Sequence, residues 1–302
     1  MRTIFVEKKQ GASNILDYIA KQFPSVPKSL LHKALRNKDI KVNGKRIHTI
    51  MPVAYQDKID IYMTDAILFQ LPQSLTICYQ DENILVVVKP QGILSNTEED
   101  SFLPEPTLEE LVQKQFPNAR ICHRLDRNTA GLVIFACQDS SYHAILQAFK
   151  HRNIEKEYLA YVADPYFEKK HAILNSYLLK DHKTGYVTVT SDPVLHAKPI
   201  CTEYEVIQTY PNLGYAILKI IIHTGKTHQI RAQCKAIGHP IIGDSKYGNN
   251  QINKQFKKYK QLLFATTYRF HFEEDSPLYY LNDKTIALPD TIYKINLGCD
   301  IK

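Results

Sequence analysis

Short apolar, β-branched segments separated by turn residues dominate the chain from Leu75 onward, and this pattern limits the folds that the sequence can adopt. Such segments are typical of β-strands, while windows with a helical period are few. The predicted strands lie at 84–88, 132–136, 157–162, 202–208 and 215–222. Strands mixed with a few helices predict an α+β fold with a mixed, mostly antiparallel central sheet.

Capping signals predict three helices in the same region. Thr107 and Glu110 are spaced as in a capping box, in which two side chains satisfy backbone N–H groups at a helix start. Gly238 follows another helical segment and is typical of a helix end. The three predicted helices run from Thr107 to about Gln115, from Ser140 or Ser141 towards Lys150, and from 227 to 237.

The excess of positive charge lies entirely in residues 1–64. This segment contains 12 Lys and Arg against 5 Asp and Glu, whereas residues 65–302 contain 26 of each. A basic module beside a charge-balanced body is typical of proteins that bind a polyanion through the module. The sequence therefore predicts a small domain at 1–64 that binds a polyanion, a linker at 65–74 and a larger domain at 75–302 with a more selective role.

The basic segment at 1–64 is predicted to form two helices and a hairpin. Ser13 is the predicted N-cap of the first helix, and a second helix carries apolar and basic residues on opposite faces. The Asn43–Gly44 pair between alternating residues predicts a tight hairpin. A solvated basic face explains the same charges as well as RNA binding does. The candidate RNA-binding residues are Lys28, His32, Lys33, Arg36, Lys41, Lys45 and Arg46.

The composition of the chain limits the classes of protein to which it can belong. With 44% hydrophobic and 23% charged residues, the chain is ordinary for a soluble globular protein. The sequence starts without the pattern of a signal peptide and has no apolar run long enough to span a bilayer, so a cytoplasmic location is expected. The six cysteines form no disulfide pattern, and His228, Cys234 and His239 fit no common zinc spacing. No metal and no cofactor are expected.

One segment, His-Arg-Leu-Asp-Arg-Asn-Thr-Ala-Gly at 123–131, has the character of a reactive loop. Asp126 lies between Arg124 and Arg127, whose charges favour an ionised carboxylate that is available as a nucleophile. An apolar run follows at once, which predicts a loop leading into a buried strand. The same residues are also typical of a structural ion pair or a solvated loop.

This segment and four others resemble the RluA-type pseudouridine synthases. The stretch at 123–132 is similar to the family's His-Arg-Leu-Asp-x-x-Thr-Ser-Gly-Leu signature. The other similar segments, in the family's order, lie at 81–95, 156–162, 223–231 and 238–248. The resemblance covers most of residues 75–270. This chain departs from the family in having Ala130 for Ser, Lys226 for Arg, and Phe264 for the His of a Leu-His-Ala triplet.

The resemblance implies an enzyme that converts uridine within RNA to pseudouridine without a cofactor. It implies that Asp126 is the catalytic carboxylate, that Arg231 pairs with it in a bidentate contact, and that Tyr158 provides an aromatic face and a phenol. The target nucleotide would be flipped out of its helix, with Arg124 as the side chain that fills the gap. The residues implied to bind substrate are Arg124, His123, Lys89, Thr129, Lys226, His228 and Gln229.

The basic segment likewise resembles the αL RNA-binding domain of a small-subunit ribosomal protein. Enzymes of this family with such a domain commonly act on large-subunit ribosomal RNA, so that RNA is expected to be the substrate in preference to transfer RNA. The chain is expected to be monomeric. The basic run at 254–260 contains two aromatic residues and is a secondary RNA-binding candidate, although a solvated helix face is the simpler explanation.

Several alternatives stay open from the sequence. Asp126 would attack the sugar, attack the base, or stabilise charge as uracil departs. A non-catalytic RNA-binding or ribosome-assembly factor would use the same fold and would tolerate loss of Asp126. A glycoside or nucleoside hydrolase needs a second carboxylate, and Asp139 and Glu155 show no recognisable pairing with Asp126.

Overall fold

The computed structural model describes residues 2–6, 14–24, 26–63, 68, 74–97, 106–181, 184–295 and 297. The chain divides into two compact units: Met1–Ser74 with Thr97–Pro106, and Leu75–Asn96 with Thr107–Lys302. Ser13, Cys299 and most of the predicted linker at 65–74 lie outside the described residues. Within the described ranges, no helix is both long and apolar enough to cross a membrane.

The first unit packs two helices against a four-stranded sheet. Helix α1 (Ile15–Gln22) and helix α2 (Lys28–Arg36) bury their apolar faces on a sheet with the strand order β1-β4-β2-β3. The N-cap of α1 is Asn14, whose side-chain oxygen accepts the Asp17 N–H at 3.0 Å. The strands are β1 (Arg2–Phe5), β2 (Ile40–Val42), β3 (Lys45–Arg46) and β4 (Lys58–Ile61).

Two local predictions for this unit agree with the structure. Asn43 and Gly44 have φ angles of 49° and 81° and join β2 to β3, as a type I′ hairpin turn requires. Helix α2 has its apolar residues at helical spacing in the core and its basic residues on the exposed face. The buried residues are Leu31, Ala34 and Leu35, and the exposed ones include Lys28, His32, Lys33 and Arg36.

The second unit is built on an 11-stranded sheet with the main order β11-β10-β12-β13-β9-β14-β8-β6-β5. Among the described strands every pairing is antiparallel except that of β14 with β8. The strands are β5 (Ile77–Gln80), β6 (Ile84–Lys89), β7 (Arg120–Ile121), β8 (Ala130–Ala136), β9 (Ile154–Ala163), β10 (His171–Lys180), β11 (Val187–Thr190), β12 (Lys198–Tyr210), β13 (Tyr215–Ile222), β14 (Leu263–Phe270) and β15 (Thr285–Ala287).

Five α-helices of the described residues connect strands of this sheet or follow its last strand. The capping box of Thr107 and Glu110 is present at the start of helix α3. The predicted serine cap is wrong for helix α4, which starts after Gln138, while the Ser141 hydroxyl is buried and donates to Asn83. The helices are α3 (Leu108–Gln113), α4 (Asp139–His151), α5 (Gln229–Ala236), α6 (Asn250–Gln255) and α7 (Asp290–Tyr293).

The parallel pair of β8 and β14 holds the loop that contains Asp126. Gly131 lies opposite Ala265 with a φ of 121°, and a Cβ at this position would overlap the backbone of Ala265. Only glycine therefore allows the two strands to approach so closely at this point. The strand that follows, β8, is buried along its whole length, so the loop before it is anchored to the core.

Candidate active site

Backbone and side-chain bonds fix the loop at 122–129 in place. The Thr129 N–H donates to the Asp126 carbonyl at 3.0 Å and closes a turn around the carboxylate. The Ser95 hydroxyl donates to the Leu125 carbonyl and accepts the Leu125 N–H, both within about 3 Å. Asp126 therefore projects from a backbone that the buried sheet holds rigid.

Lys89 supports this loop from within the protein. Its side chain is fully buried, and Nζ donates to the carbonyls of Pro90, Ile93 and Arg127 at 2.8 to 3.1 Å. Burial lowers the pKa of Lys89 to about 7, while the charge of Asp126 acts in the opposite direction. The ammonium group is buried and already has three acceptors, so Lys89 shapes the Asp126 loop and has no donor left for substrate.

Arg231 connects two carboxylates. Its Nη1 donates to Asp126 Oδ2 at 2.8 Å, while Nε and Nη2 donate to the two oxygens of Asp244 at 2.7 and 3.0 Å. The pairing of Arg231 with Asp126 agrees with expectation, but the bidentate partner is Asp244. Asp126 Oδ1 accepts no hydrogen bond from the residues that the structure describes. One carboxylate oxygen is therefore held, and the other is available to a substrate.

Asp244 was not identified from the sequence as a site residue. It is 1% exposed and also accepts the N–H groups of Lys246 and Tyr247 at 2.8 and 3.0 Å. Burial by itself would raise the pKa of Asp244, but the hydrogen bond and charge of Arg231 hold it below the ordinary value. The negative charge of Asp244 fixes the guanidinium plane and thereby the nitrogen that faces Asp126.

Tyr158 lies on β9 and is nearly buried, at 7% exposure. In the sheet it lies opposite Ile220 on one side and Ala265 on the other. Burial, followed by the negative charge of Asp126, raises the pKa of the phenol above its ordinary value. Tyr158 therefore stays protonated at neutral pH and offers an aromatic surface and a hydroxyl donor within the field of Asp126.

His228 lies beside the same carboxylate in an unusual backbone conformation. Its φ is 58°, in the left-handed region, and its Nε2 is 3.9 Å from Asp126 Oδ2. The other ring nitrogen, Nδ1, is 2.9 Å from the Tyr247 hydroxyl. Burial lowers the pKa of His228, with the charge of Asp126 opposing that shift. His228 therefore lies next to the candidate catalytic carboxylate, and its contact with substrate stays a prediction.

His123 has contacts with the core and not with an open site. Its ring packs edge-on against Phe149 and Tyr268, and Nε2 accepts the Ile134 N–H at 3.1 Å. Burial lowers the pKa of His123 to about 3, so the ring is neutral and Nε2 is an acceptor. These contacts contradict the prediction that His123 binds substrate; the ring supports the strand behind the Asp126 loop.

Thr129 and Gln229 are also internal, so their predicted contacts with substrate are wrong. The Thr129 hydroxyl accepts a hydrogen bond from Gln261 at 2.7 Å. Gln229 Oε1 accepts the Lys226 N–H at 3.1 Å, and its amide donates to the Cys201 carbonyl at 3.1 Å. Both side chains are buried and hold loops around the site. By contrast, Arg124 and Lys226 are exposed, and their contact with RNA stays a prediction.

The predicted basic surface of the first unit is exposed and has an aromatic centre that sequence reasoning missed. The ammonium of Lys41 lies 4.9 Å from the ring centroid of Tyr62, and the guanidinium of Arg46 lies 5.4 Å from it. Tyr62 is 37% exposed. Lys28 is paired with Asp17 at 2.8 Å, so part of its charge is compensated.

The basic run at 254–260 exposes only one of its two aromatic side chains to solvent. Helix α6 ends at Gln255, and Phe256 is buried in the core, so it cannot stack on a base. Tyr259 is 70% exposed and is the aromatic residue of this run that faces solvent. In the part of the chain that the structure describes, no group of three or more His, Cys, Asp or Glu residues is arranged to hold a metal ion.

The chain is similar to a family of known proteins and to several of its members. The model of the RNA pseudouridylate synthase family matches residues 83–236, which include Asp126, Tyr158 and Arg231. An RNA pseudouridine synthase of Mycoplasma pneumoniae is 30% identical over 273 residues, which cover 84% of this chain and 83% of that protein. Ribosomal large subunit pseudouridine synthase C of Rickettsia bellii is 27% identical, with 80% and 84% covered.

A solved structure shows the same fold. The human protein described as RNA pseudouridylate synthase domain containing 1 superposes with a TM-score of 0.59. The two chains are 24% identical, and the superposition covers 72% of this chain and 84% of the human one. At this identity the similarity shows the fold alone, and it confirms the α+β class predicted from the strand pattern.

Proposed function

The chain belongs to the RNA pseudouridylate synthase family, and we propose that it converts specific uridines in large-subunit ribosomal RNA to pseudouridine. It is a pseudouridine synthase, as the sequence motifs predicted. The observation that carries the proposal is the carboxylate of Asp126, with Oδ2 held by Arg231 and Oδ1 open. The choice of ribosomal RNA is supported by relatives in Rickettsia bellii and Vibrio vulnificus, both of which are named ribosomal large subunit pseudouridine synthase C.

The target uridine must leave its stack before it reaches Asp126. Flipping a nucleotide out of paired RNA costs on the order of a few kcal/mol, which new contacts with the enzyme offset. Arg124 is exposed and lies two residues before Asp126, so its long side chain is positioned to fill the space that the flipped base leaves. In the proposed complex, the uracil ring packs against the aromatic face of Tyr158.

The chemistry is an isomerisation in which no atoms are gained or lost. The C1′–N1 bond breaks, the uracil rotates, and a C5–C1′ bond forms; C5 then loses its proton while N1 gains one. Asp126 drives the first step by attack or by stabilising positive charge at the sugar, and each route requires the ionised carboxylate. The neutral phenol of Tyr158 holds its proton and serves as a donor near the base.

Arg231 has a double role in this scheme. It donates a charge-assisted hydrogen bond to Asp126 Oδ2, and it thereby fixes the direction in which Oδ1 points. Because Asp244 holds the guanidinium by two hydrogen bonds, the geometry exists before substrate binds. Such preorganisation lowers the barrier, since the groups need no rearrangement during the reaction.

The first unit supplies general affinity for RNA in this proposal. Its surplus of basic residues on α2 and on the β2–β3 hairpin is suited to phosphate groups, and Tyr62 between Lys41 and Arg46 offers a surface for a base. Contacts of this kind bind any RNA sequence. Selection of the uridine then depends on the second unit and on RNA shape.

The test is a map of pseudouridines in cells with and without the gene. Carbodiimide-blocked primer extension across ribosomal and transfer RNA should show stops in large-subunit RNA that disappear on deletion. Wild type and Asp139→Asn, a matched change at an exposed carboxylate, should restore the stops, whereas Asp126→Asn should not. A gene-dependent stop confined to transfer RNA would refute the substrate, and no gene-dependent stop at all would refute the function.

A further inference from the structure

Lys156 is a cation beside the candidate active site to which no role has been assigned. It lies on β9 two residues before Tyr158, so the two side chains point to the same face of the strand, about 7 Å apart along it. Its stem extends past the ring of Phe149, with Nζ 5.3 Å from the ring centroid. The same ammonium lies 3.7 Å from the place that a Cβ on Gly225 would occupy.

The loop that Lys156 faces leads to the catalytic carboxylate. Gly225 lies in the turn between β13 and α5, and three residues later His228 lies 3.9 Å from Asp126. Because glycine has no side chain, the space above the turn stays open to a group from solution next to the Lys156 ammonium. Lys156 is partly exposed, so a group from solution can approach it.

The charge of Lys156 is not compensated by the described part of the protein. Strand alternation turns Glu155 and Glu157 to the opposite face, where both pair with Arg269. No carboxylate of a described residue lies within 4.0 Å of the Lys156 ammonium. Burial, followed by the like charge of Arg152, lowers the pKa of Lys156, and an anion next to the two cations would relieve this repulsion.

We propose that Lys156, assisted by Arg152, binds a phosphodiester group of the RNA strand next to the flipped uridine. This inference rests on the proposed function, since the substrate must be a nucleotide within a chain. Two cations without a carboxylate partner favour an anion, and the opening at Gly225 admits a small one. In the proposed complex Tyr158 contacts the base and Asp126 lies near the sugar. The backbone phosphate is the anionic part of the nucleotide, and neither of these residues binds it.

The site differs from the general basic surface of the first unit. Its ammonium sits on a half-buried stem whose direction is set by Phe149, so it holds one phosphate in a defined place. Contacts of this kind fix the register of a nucleic acid without reading its bases. Lys156 would thus position the sugar relative to Asp126, and its loss would affect both binding and the rate at limiting RNA.

The experiment compares four forms of the full-length protein: wild type, Lys156→Met, Lys156→Arg and Lys114→Met. Methionine keeps the unbranched apolar stem over Phe149 and removes only the charge, arginine keeps the charge, and Lys114 is an exposed lysine at the end of α3. The probe is a short fluorescent oligouridylate, whose affinity is measured over a series of potassium chloride concentrations. Thermal melting of each form records any effect on folding.

Lys156→Met should weaken binding about tenfold, as expected for one lost charge-assisted hydrogen bond. The slope of log affinity against log salt should fall by about 0.7, the value for one phosphate contact on a single strand. Lys156→Arg should restore the slope, and Lys114→Met should leave it unchanged. An unchanged slope for Lys156→Met, or an equal change for Lys114→Met, would overturn the proposal; so would a lower melting temperature as the only effect.

Failure of this inference is separable from failure of the proposed function. Wild-type turnover on ribosomal RNA tests the function and does not depend on the Lys156 variants. Arg152 provides an independent check because it is exposed, so that Arg152→Gln removes its charge without disturbing the core. We expect Arg152→Gln to lower the salt slope in wild type and to have a smaller effect in Lys156→Met, since the two residues share one phosphate.

Discussion

Replacement of Asp244 by Asn tests how Arg231 is held. In the wild-type protein Asp244 Oδ2 accepts Arg231 Nε at 2.7 Å, and Oδ1 accepts Nη2 at 3.0 Å. The asparagine side chain would retain the Oδ1 contacts but would place an NH₂ group against the Arg231 Nε–H, so that two donors face each other. The buried guanidinium would then keep only Asp126 as a charged partner.

The expected magnitude follows from these contacts. Loss of a charge-assisted hydrogen bond together with an imperfectly paired buried charge should lower the free energy of unfolding by about 3 kcal/mol. For a domain of this size that corresponds to a fall in melting temperature of about 10 °C. A guanidinium that is free to shift by about 1 Å should slow the chemical step by about 100-fold.

The assay is single-turnover release of tritium from RNA labelled at C5 of uridine, because that hydrogen leaves when pseudouridine forms. Asp275→Asn, at an exposed carboxylate, is the matched control and should behave as wild type. RNA binding by Asp244→Asn should change far less than its rate. A variant that melts at a lower temperature but turns over at the wild-type rate when folded would refute the positioning role of Asp244.

Three further outcomes are expected. Gly131→Ala should destabilise the protein by at least about 3 kcal/mol, because its Cβ overlaps the Ala265 backbone; a wild-type melting curve would contradict this. The unfolded chain protonates His123 near pH 6.5 and the folded chain only near pH 3, so stability falls as pH drops through that window, and His123→Gln should flatten this dependence in acid melts. The double change Lys33→Ala and Arg36→Ala should lower the salt slope for structured RNA by about 1.8, and an unchanged slope would remove α2 from the interface.

Features encoded by neighbouring residues could be predicted from the sequence. The strand at 215–222 has the predicted bounds, and the Asn43–Gly44 turn and the Thr107 capping box are present. Each depends on residues at most a few positions apart, whose backbone preferences act locally. The α+β class could be predicted from the strand pattern because that pattern also depends on residues that are close together in the chain.

Features that depend on distant contacts were missed or wrong. Asp244 is 13 residues from Arg231 in the chain, and only the turn after α5 brings the two together. Lys89 and His123 were expected to bind substrate because their segments resemble the family's motifs, and a motif does not show which side chains the fold buries. The structure instead satisfies the Lys89 ammonium with three carbonyls and packs the His123 ring between aromatic residues.

The most direct test of the account is the single-turnover rate of purified Asp126→Asn on the ribosomal RNA that the wild type modifies. The change keeps the shape of the side chain and removes its charge. We expect RNA binding within about threefold of wild type and a rate lower by at least about 1,000-fold, or roughly 4 kcal/mol in the barrier. Pseudouridine formation by Asp126→Asn at the wild-type rate would contradict the account.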